Sequence, residues 1–157
     1  MSHNLTHLNE QGDAVMVDVS AKKESVRTAR AEGNIRLNEA AFAALVSGSV
    51  NKGDALAAAR IAGIMAVKKT ADLIPLCHRI PIEKAAIDFD LSAAGMVRAC
   101  CDVTATAKTG VEMEALCGVS AALLTIYDMT KALDRGMEID GIRLVRKTGG
   151  RHGDYAR

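Results

Sequence analysis

The stretch MVRACCDVTATA, residues 96–107, decides the fold of this chain. Small and apolar residues stand at every second position from Val97 to Ala107, and charged, thiol or hydroxyl side chains fill the positions between them. A period of two places successive side chains on opposite faces of a β-strand. The stretch therefore predicts a strand over 96–108 with one face buried in a core.

Three further segments show the same alternation, and together with the first they predict a sheet. They cover 27–37, 84–91 and 137–147. Ser-Ala-Ala-Gly at 92–95 separates the second of them from the quoted stretch, so these two strands are expected to form a hairpin. In the last segment the apolar phase changes across Gly141, which predicts a β-bulge at that position.

The segments between these strands carry helical signals. Asn38 and Gly48 are suited to begin and end a short helix. An alanine-rich helix is expected over 54–69, where the apolar residues recur at helical spacing. The stretch TGVE, residues 109–112, matches a capping box and predicts a long helix over 111–133.

The order of these elements indicates the fold class. Strand, helices, strand, strand, helix and strand is the split βαβ plan of ferredoxin-like folds. We expect an α+β fold in which one antiparallel sheet has its helices packed on one face. One helix layer is not expected to cover every apolar strand residue if the second face of the sheet is also partly apolar, so association with further copies of the chain is predicted.

Length, charge and the apolar runs limit the class of protein. The 157 residues, 49% of them hydrophobic, suffice for a core, and a single domain over 1–157 is expected. Its polar start, 1–13, and glycine-rich end, 148–157, are expected to be flexible arms. A net charge of +1 gives no field to attract nucleic acid or an anionic membrane. Without a secretory signal or an apolar run of the ~20 residues that span a membrane, a cytoplasmic protein is predicted.

Asp128 and Lys131 stand out at the end of the long predicted helix. The residues before them are small or apolar on nearly all sides, so a charged pair at spacing i, i+3 is unusual there. Glu114 lies close to the same helical stripe, so the helix could border one polar cavity at both ends. On spacing alone, an ordinary surface ion pair is the simpler interpretation, and a proton-transferring pair is the alternative.

Cys77 and His78 end an apolar loop that begins at Asp72. A zinc site or a thiol nucleophile is disfavoured, because no second ligand pair stands at metal spacing and consecutive side chains rarely converge on one atom. No metal site is predicted. The pattern fits His78 as a hydrogen-bond donor to an anion, and it fits equally well a loop histidine satisfied within the protein.

Cations beside glycines indicate a local site for phosphate groups. Lysines adjacent to glycines or helix starts suit phosphates, although no P-loop motif is present and each pair alone is a common turn signal. The residues in question are Lys52, Lys108 and Lys147, together with Arg27, Arg143 and Arg151.

Taken together, seven motifs resemble those of the cyclic pyranopterin monophosphate synthases in order and spacing, over residues 5–154. They are LTH (5–7), MVDVS (16–20), KGD (52–54), ARIAGI (59–64), DLIPLCH (72–78), KTGVEMEAL (108–116) and LTIYDM (124–129). The resemblance implies a ferredoxin-like subunit, a homohexamer built as a trimer of dimers, and active sites at subunit boundaries. It also implies that a guanosine triphosphate already cyclised between ribose and base is rearranged into a cyclic phosphate of a pyranopterin while pyrophosphate leaves, a step of molybdenum cofactor biosynthesis.

The resemblance assigns roles residue by residue. Asp128 and Lys131 match the proposed acid and base of the family, and Lys52 matches a lysine near the reacting centre. Substrate contacts are implied for Leu76, Cys77, His78, Glu112, Met113, Glu114 and Arg27. The sequence indicates no required cofactor, and it leaves open whether magnesium accompanies the triphosphate.

The chain departs from the family pattern at a few positions. Arg79 stands where proline is expected, Cys117 and Gly118 stand where threonine and alanine are expected, and Thr130 replaces a common cysteine. Arg79 adds a charge beside an implied phosphate contact.

Two other classes of protein remain open from the sequence. A nucleotide- or RNA-binding module without enzymatic activity is disfavoured, because aromatic residues make up only 3% of the chain and no stacking pair interrupts a strand. In a purely structural oligomer, Asp128 and Lys131 would form ion pairs at an interface. Pyrophosphate release from the cyclised triphosphate distinguishes the enzyme from both.

Overall fold

A computed structural model describes residues 8–9, 11–50, 53–150 and 153–157 of the chain. It confirms the predicted succession of strands and helices, and it adds a short third helix and a short last strand. The elements are β1 (Ser25–Arg36), α1 (Glu39–Ser47), α2 (Ala55–Lys68), α3 (Thr70–Leu73), β2 (Lys84–Asp90), β3 (Met96–Ala107), α4 (Glu112–Thr130), β4 (Glu138–Thr148) and β5 (Tyr155–Ala156).

Within the described residues the strands form one five-stranded sheet in the order β2-β3-β1-β4-β5. Every neighbouring pair is antiparallel. β3 lies between β1 and β2, the two strands that the first helices connect, which is compatible with the ferredoxin-like plan. The α+β class with one antiparallel sheet is confirmed.

Local hydrogen bonds set both ends of α1 as the sequence predicts, and a further one caps α2. The Asn38 side chain accepts a bond of 2.8 Å from the amide of Ala41 and so caps α1. Gly48 ends that helix in the left-handed conformation, with φ of 69°. In the same way the Asp54 carboxylate accepts from the amide of Ala57 at the start of α2.

The capping box predicted at 109–112 is wrong. α4 begins at Glu112, with Val111 at the N-cap position and no side-chain capping bond among the described residues. The Glu112 carboxylate accepts instead from Lys147 of β4, with 2.8 Å between Nζ and Oε1. A contact between distant parts of the chain has taken the place of the local one.

The predicted bulge in β4 is confirmed. The pairing of β1 with β4 changes register between Glu32, opposite Arg143, and Asn34, opposite Asp140. Gly141 has φ of 63°, which a residue with a Cβ rarely adopts. The glycine thus allows the strand to bend while both sides of the bulge stay paired.

The buried face of the sheet is closely covered by α2 and α4. Val97, Ala99 and Cys101 of β3 are fully buried, as their alternation predicts. The two helices approach each other at glycines, because a Cβ on Gly63 would lie 2.9 Å from the carbonyl oxygen of Gly118. Small side chains therefore bring both helices close to the sheet.

The second face of the sheet is polar, so it does not offer the uncovered apolar strand residues from which association between copies of the chain was predicted. Ion pairs cross it, including Arg30 to Asp102 at 3.2 Å and Arg143 to Glu32 at 2.5 Å. Large apolar side chains are exposed on the helices instead: Ile61 and Met65 on α2 and Leu124 on α4.

The end of the chain contributes to the sheet. Tyr155–Ala156, within the segment expected to be an arm, pairs with Arg146 and Lys147 of β4.

Among the helices that the structure describes, none is long and apolar enough to cross a membrane.

Candidate active site

The loop after α3 and the first turn of α4 enclose a cavity of about 320 Å³. We call it the substrate cavity. Val17, Val19 and Lys22 from the segment before β1 form its third wall. In the described part of the chain, six of the seven substrate contacts implied by the resemblance line it: Leu76, Cys77, His78, Glu112, Met113 and Glu114.

The loop is held in place by hydrogen bonds at both of its ends. The amide of Ile74 donates to the Thr70 carbonyl where α3 ends, and the amide of Cys77 donates to the carbonyl of Ile74. His78 Nε2 lies 2.8 Å from the carbonyl oxygen of Val17. The segment before β1 and the loop therefore fix each other across the cavity.

This bond also determines how His78 can act. A carbonyl oxygen only accepts, so Nε2 carries the hydrogen, and the neutral ring has a free lone pair at Nδ1. His78 can donate to an anion from Nδ1 only as the imidazolium. If His78 donates a hydrogen bond to an anion, as one of the two interpretations predicts, its ring must therefore be protonated. The other interpretation, a histidine satisfied within the protein, agrees with the hydrogen bond at Nε2.

Glu114 is the most deeply buried acid at this site, with 4% of its surface exposed. Burial raises the pKa of its carboxyl group, and the charge of the nearby Glu112 raises it further. A carboxyl group whose pKa is raised keeps its proton to higher pH and can donate it to a bound molecule.

The Cys77 thiol is an unfavourable nucleophile. Burial raises its pKa, and the charges of Glu114 and Cys117 add to the shift, so the reactive thiolate is disfavoured. The described residues contain no cluster of three or more His, Cys, Asp or Glu side chains that could hold a metal ion.

A larger groove, of about 750 Å³, adjoins the substrate cavity and shares Lys22, Thr109, Gly110 and Glu112 with it. Arg27, the seventh implied substrate contact, lies in this groove rather than in the cavity. We call it the cationic groove after the side chains that line it: Lys22, Lys23, Arg27, Lys108 and Lys147.

Glycines make room for the charged groups of the cationic groove. A Cβ on Gly110 would collide with the Glu112 carboxylate, and one on Gly150 would collide with the Arg27 guanidinium. Arg27 Nε also donates to the carbonyl oxygen of Ala107, at 3.3 Å. The glycines that the sequence places beside its cations therefore allow these side chains to fold back over the backbone.

Glu112 lies at the boundary between the cavity and the groove. Its ion pair with Lys147 joins α4 to β4 and is about two-thirds buried. A phosphate oxygen is an anionic acceptor like the Glu112 carboxylate, so an anion that enters the groove can compete with Glu112 for the Lys147 ammonium group.

Asp128 and Lys131 are far from this site within one chain. Lys131 Nζ lies 2.8 Å from Asp128 Oδ1, and the two side chains are 55% and 57% exposed. Fourteen residues of helix separate Asp128 from Glu114, or ~21 Å at the helical rise. The described part of one chain therefore does not form a single polar cavity that borders both ends of the helix.

The pair has the geometry of a surface ion pair. The hydrogen bond and charge of Asp128 raise the pKa of Lys131, so the ammonium form persists to higher pH. In this arrangement Asp128 holds Lys131 in its charged form, so Lys131 can accept a proton only after it has lost one. Lys52, the third implied catalytic residue, and Arg151 lie outside the described residues.

The structure shows the partners of two residues that depart from the family pattern, Arg79 and Thr130. Arg79 is mostly exposed, and its guanidinium binds the carboxylate of Asp72 at the rim of a second, smaller cavity. Thr130 is buried and donates to the carbonyl of Ile126 in its own helix.

Sequence reasoning assigned no role to Val17, Val19 and Lys22. The available signal was the alternation of Val15, Val17 and Val19, which gives this segment a half-buried side. This segment has the pattern of a strand, but no partner strand was predicted for it. The pattern therefore did not indicate that the side chains of the segment face a cavity.

Comparison with known proteins gives a consistent result. A family model described as the MoaC family matches residues 16–150. Curated relatives named cyclic pyranopterin monophosphate synthase, from Clostridium botulinum, Nostoc sp. and Roseiflexus sp., are 51%, 53% and 54% identical to this chain. The matches cover 99%, 98% and 97% of this chain and 98%, 92% and 97% of the relatives. Because the family model spans most of the sequence and these relatives match it over nearly its whole length, the chain belongs to the MoaC family.

Proposed function

We propose that this chain is a cyclic pyranopterin monophosphate synthase, a lyase of molybdenum cofactor biosynthesis. It converts a guanosine triphosphate that is cyclised between ribose and base into cyclic pyranopterin monophosphate and pyrophosphate. The names of its relatives support this function. The observation that carries it is the assembly of six implied substrate contacts in one cavity that adjoins a groove lined by cations.

The cationic groove suits the triphosphate. Five lysine and arginine side chains line it against two carboxylates, those of Glu24 and Glu112. Such a local excess of positive charge attracts a polyanion even though the net charge of the chain is only +1. Lys147 can leave Glu112 for a phosphate oxygen, which would couple arrival of the substrate to release of the Glu112 carboxylate.

The substrate cavity suits the ring system. Opening a ring and closing a cyclic phosphate ester both require protons to move. The cavity offers the buried carboxyl group of Glu114, whose pKa is raised, and a ring nitrogen of His78. Together, the cavity and the groove provide separate regions for the base-derived rings and for the phosphate chain.

The missing acid and base are proposed to come from a neighbouring subunit. We propose a homohexamer, a trimer of dimers, in which Asp128 and Lys131 of one copy reach the substrate cavity of another. The ~21 Å between Asp128 and Glu114 along one helix supports this arrangement. Apolar side chains exposed on α2 and α4 are suitable for burial between subunits.

A mixing experiment tests the shared site. Glu114→Gln and Asp128→Asn subunits, each inactive alone, are dissociated together and reassembled at equal amounts. If the two residues come from different copies, about a quarter of the sites regain both native residues and the mixture recovers about that share of activity. No recovery, in an oligomer shown to have exchanged subunits, would place both residues in one chain and refute the arrangement.

The remaining features follow from the same proposal. The enzyme is cytoplasmic and needs neither nucleic acid nor a membrane. No cofactor bound by the protein is required, and magnesium enters only as a counter-ion of the triphosphate. Under this proposal, a chelator should raise KM while kcat at saturating substrate changes little; loss of kcat would instead indicate a metal in the chemical step.

The primary test is direct. The purified protein is incubated with the cyclised triphosphate, and pyrophosphate and the cyclic phosphate product are measured. Guanosine triphosphate itself serves as the control substrate, because it carries the same phosphates without the added ring. Equal pyrophosphate release from both substrates, or release from neither, would refute the proposed function.

A further inference from the structure

A second cavity, of about 170 Å³, lies behind the substrate cavity, between α3, the end of α2 and the start of α4. We call it the rear cavity. Lys68, Asp72 and Arg79 line it, and it shares His78, Ile80 and Glu114 with the substrate cavity. Those three shared side chains therefore form the wall between the two spaces.

We propose that Glu114 passes protons between the substrate and water held in the rear cavity, which makes it a catalytic residue with its own route to solvent. This inference rests on the proposed function and extends it. It gives Glu114 a task beyond contact with the substrate, and it gives the rear cavity a role in the reaction.

The position of Glu114 is the first argument. Within the described residues, the ionisable side chains common to both cavities are Glu114 and His78. His78 has Nε2 committed to the Val17 carbonyl, so it cannot take a proton at one nitrogen and release it at the other. A carboxyl group can do this with its two oxygens, so Glu114 is the group able to connect the two spaces.

The contents of the rear cavity are the second argument. Lys68 and Arg79 line this cavity together with Asp72 and Glu114, and the guanidinium of Arg79 is already bound to Asp72. Such balanced charges do not favour an anionic ligand. A polar space of this volume holds several water molecules, and waters require polar partners of this kind.

The proton balance is simple. When the substrate needs a proton, the O–H bond of Glu114 breaks and the proton bonds to a substrate atom. The resulting carboxylate takes a proton from a rear-cavity water, which is reprotonated from bulk solvent. The reverse sequence removes a proton from the substrate, so no further reactant is consumed. Burial raises the pKa of Glu114, so its carboxyl group keeps the proton to higher pH than an exposed glutamate does.

Other titrating and charged groups also face Glu114, and a pH profile reports on them together. They are Glu112 on its own helix, Cys77, His78 and Arg79 on the loop, Lys68 on α2 and Asp72 on α3. A pH profile alone therefore does not identify Glu114, and filling the rear cavity is the more specific test.

The experiment fills the rear cavity without changing any group that touches the substrate. Ala71 lines the rear cavity but not the substrate cavity, so Ala71→Leu displaces water behind Glu114. We expect kcat to fall about tenfold or more, KM to stay within about twofold, and the solvent deuterium effect on kcat to increase. Glu114→Gln should lower kcat by on the order of 100-fold.

Ala93→Leu is the matched control, because it makes the same change in the exposed turn between β2 and β3 and should leave kcat unchanged. Ala71→Val replaces Ala71→Leu if the larger residue prevents folding, and a smaller loss of kcat is then expected. Normal kcat in a folded Ala71 variant, or a rise in KM alone, would overturn the inference while leaving the proposed function intact. If wild-type protein releases no pyrophosphate from the cyclised triphosphate, both the proposed function and this inference are refuted.

Discussion

Replacing Gly118 by alanine is expected to lower the free energy of unfolding by about 1–2 kcal/mol, although alanine is the better helix former. Gly118 lies in α4, where the helix packs against both the sheet and α2. A Cβ at this position would lie 2.7 Å from Cys101 Sγ and 2.8 Å from a methyl carbon of Val67. Carbon atoms in ordinary contact are about 3.5–4.0 Å apart, so both neighbours would have to move.

Neither neighbour has room to move. Cys101 is 0% exposed and Val67 1% exposed, and both belong to the same core. Overpacking of this kind costs about 2–3 kcal/mol, the upper part of its usual range, and the gain from alanine in a helix offsets about 1 kcal/mol of that. For a chain of this length the net change corresponds to a melting temperature roughly 2–8 °C lower.

Thermal and urea denaturation at one fixed protein concentration provide the assay. The matched control is Gly136→Ala, because a Cβ there has only the Asp134 carboxylate nearby, at 3.5 Å, and φ is not positive. Its stability should change by less than about 0.5 kcal/mol. In a double-mutant cycle, Cys101→Ala should relieve part of the Gly118→Ala cost, with a coupling of about 1 kcal/mol. A more stable Gly118→Ala variant, or purely additive effects, would refute this account of the packing.

Four further outcomes are expected. Asp128→Asn and Lys131→Ala should each lower turnover by orders of magnitude. The double variant should lose little more turnover than either single variant, because the two residues act as one unit. The melting temperatures of all three variants should barely change, because the pair is exposed. Because the pKa of Glu114 is raised in the folded protein, its protonated carboxyl group contributes stability that is present below the ordinary pKa of 4.5 and is lost as pH rises through the folded pKa. The melting temperature of Glu114→Gln should therefore increase relative to that of wild type as pH rises. Lys147→Met should raise KM for the cyclised triphosphate more than it lowers kcat, whereas an unchanged KM would exclude the groove as the phosphate site. Lys52→Met should abolish turnover while circular dichroism and melting temperature stay near wild type.

The elements of this fold could be predicted because their signals are local. The alternation in β1 and β3 reports which side chains face the core, and the predicted cap at Asn38 bonds to an amide three residues away. Each of these signals depends on neighbours within a few residues, so the sequence alone was sufficient to locate them.

The candidate site could be predicted only in part. The resemblance named seven substrate contacts, and the structure brings six of them together in the substrate cavity, whereas Asp128 and Lys131 lie at the far end of α4. Spacing along a helix showed that Glu114 and Asp128 share a stripe. It did not show that one end of that stripe is buried and the other exposed.

What the sequence by itself determined was the type and order of the elements, the bulge at Gly141 and the family to which the chain belongs. Only the tertiary structure decided that Glu112 pairs with Lys147 instead of capping its own helix, that the second face of the sheet is polar, and that Glu114 separates two cavities. The physical reason is distance along the chain. Propensity, capping and periodicity act within a few residues, whereas burial and ion pairing depend on which distant segments meet, and a local pattern carries no information about that choice.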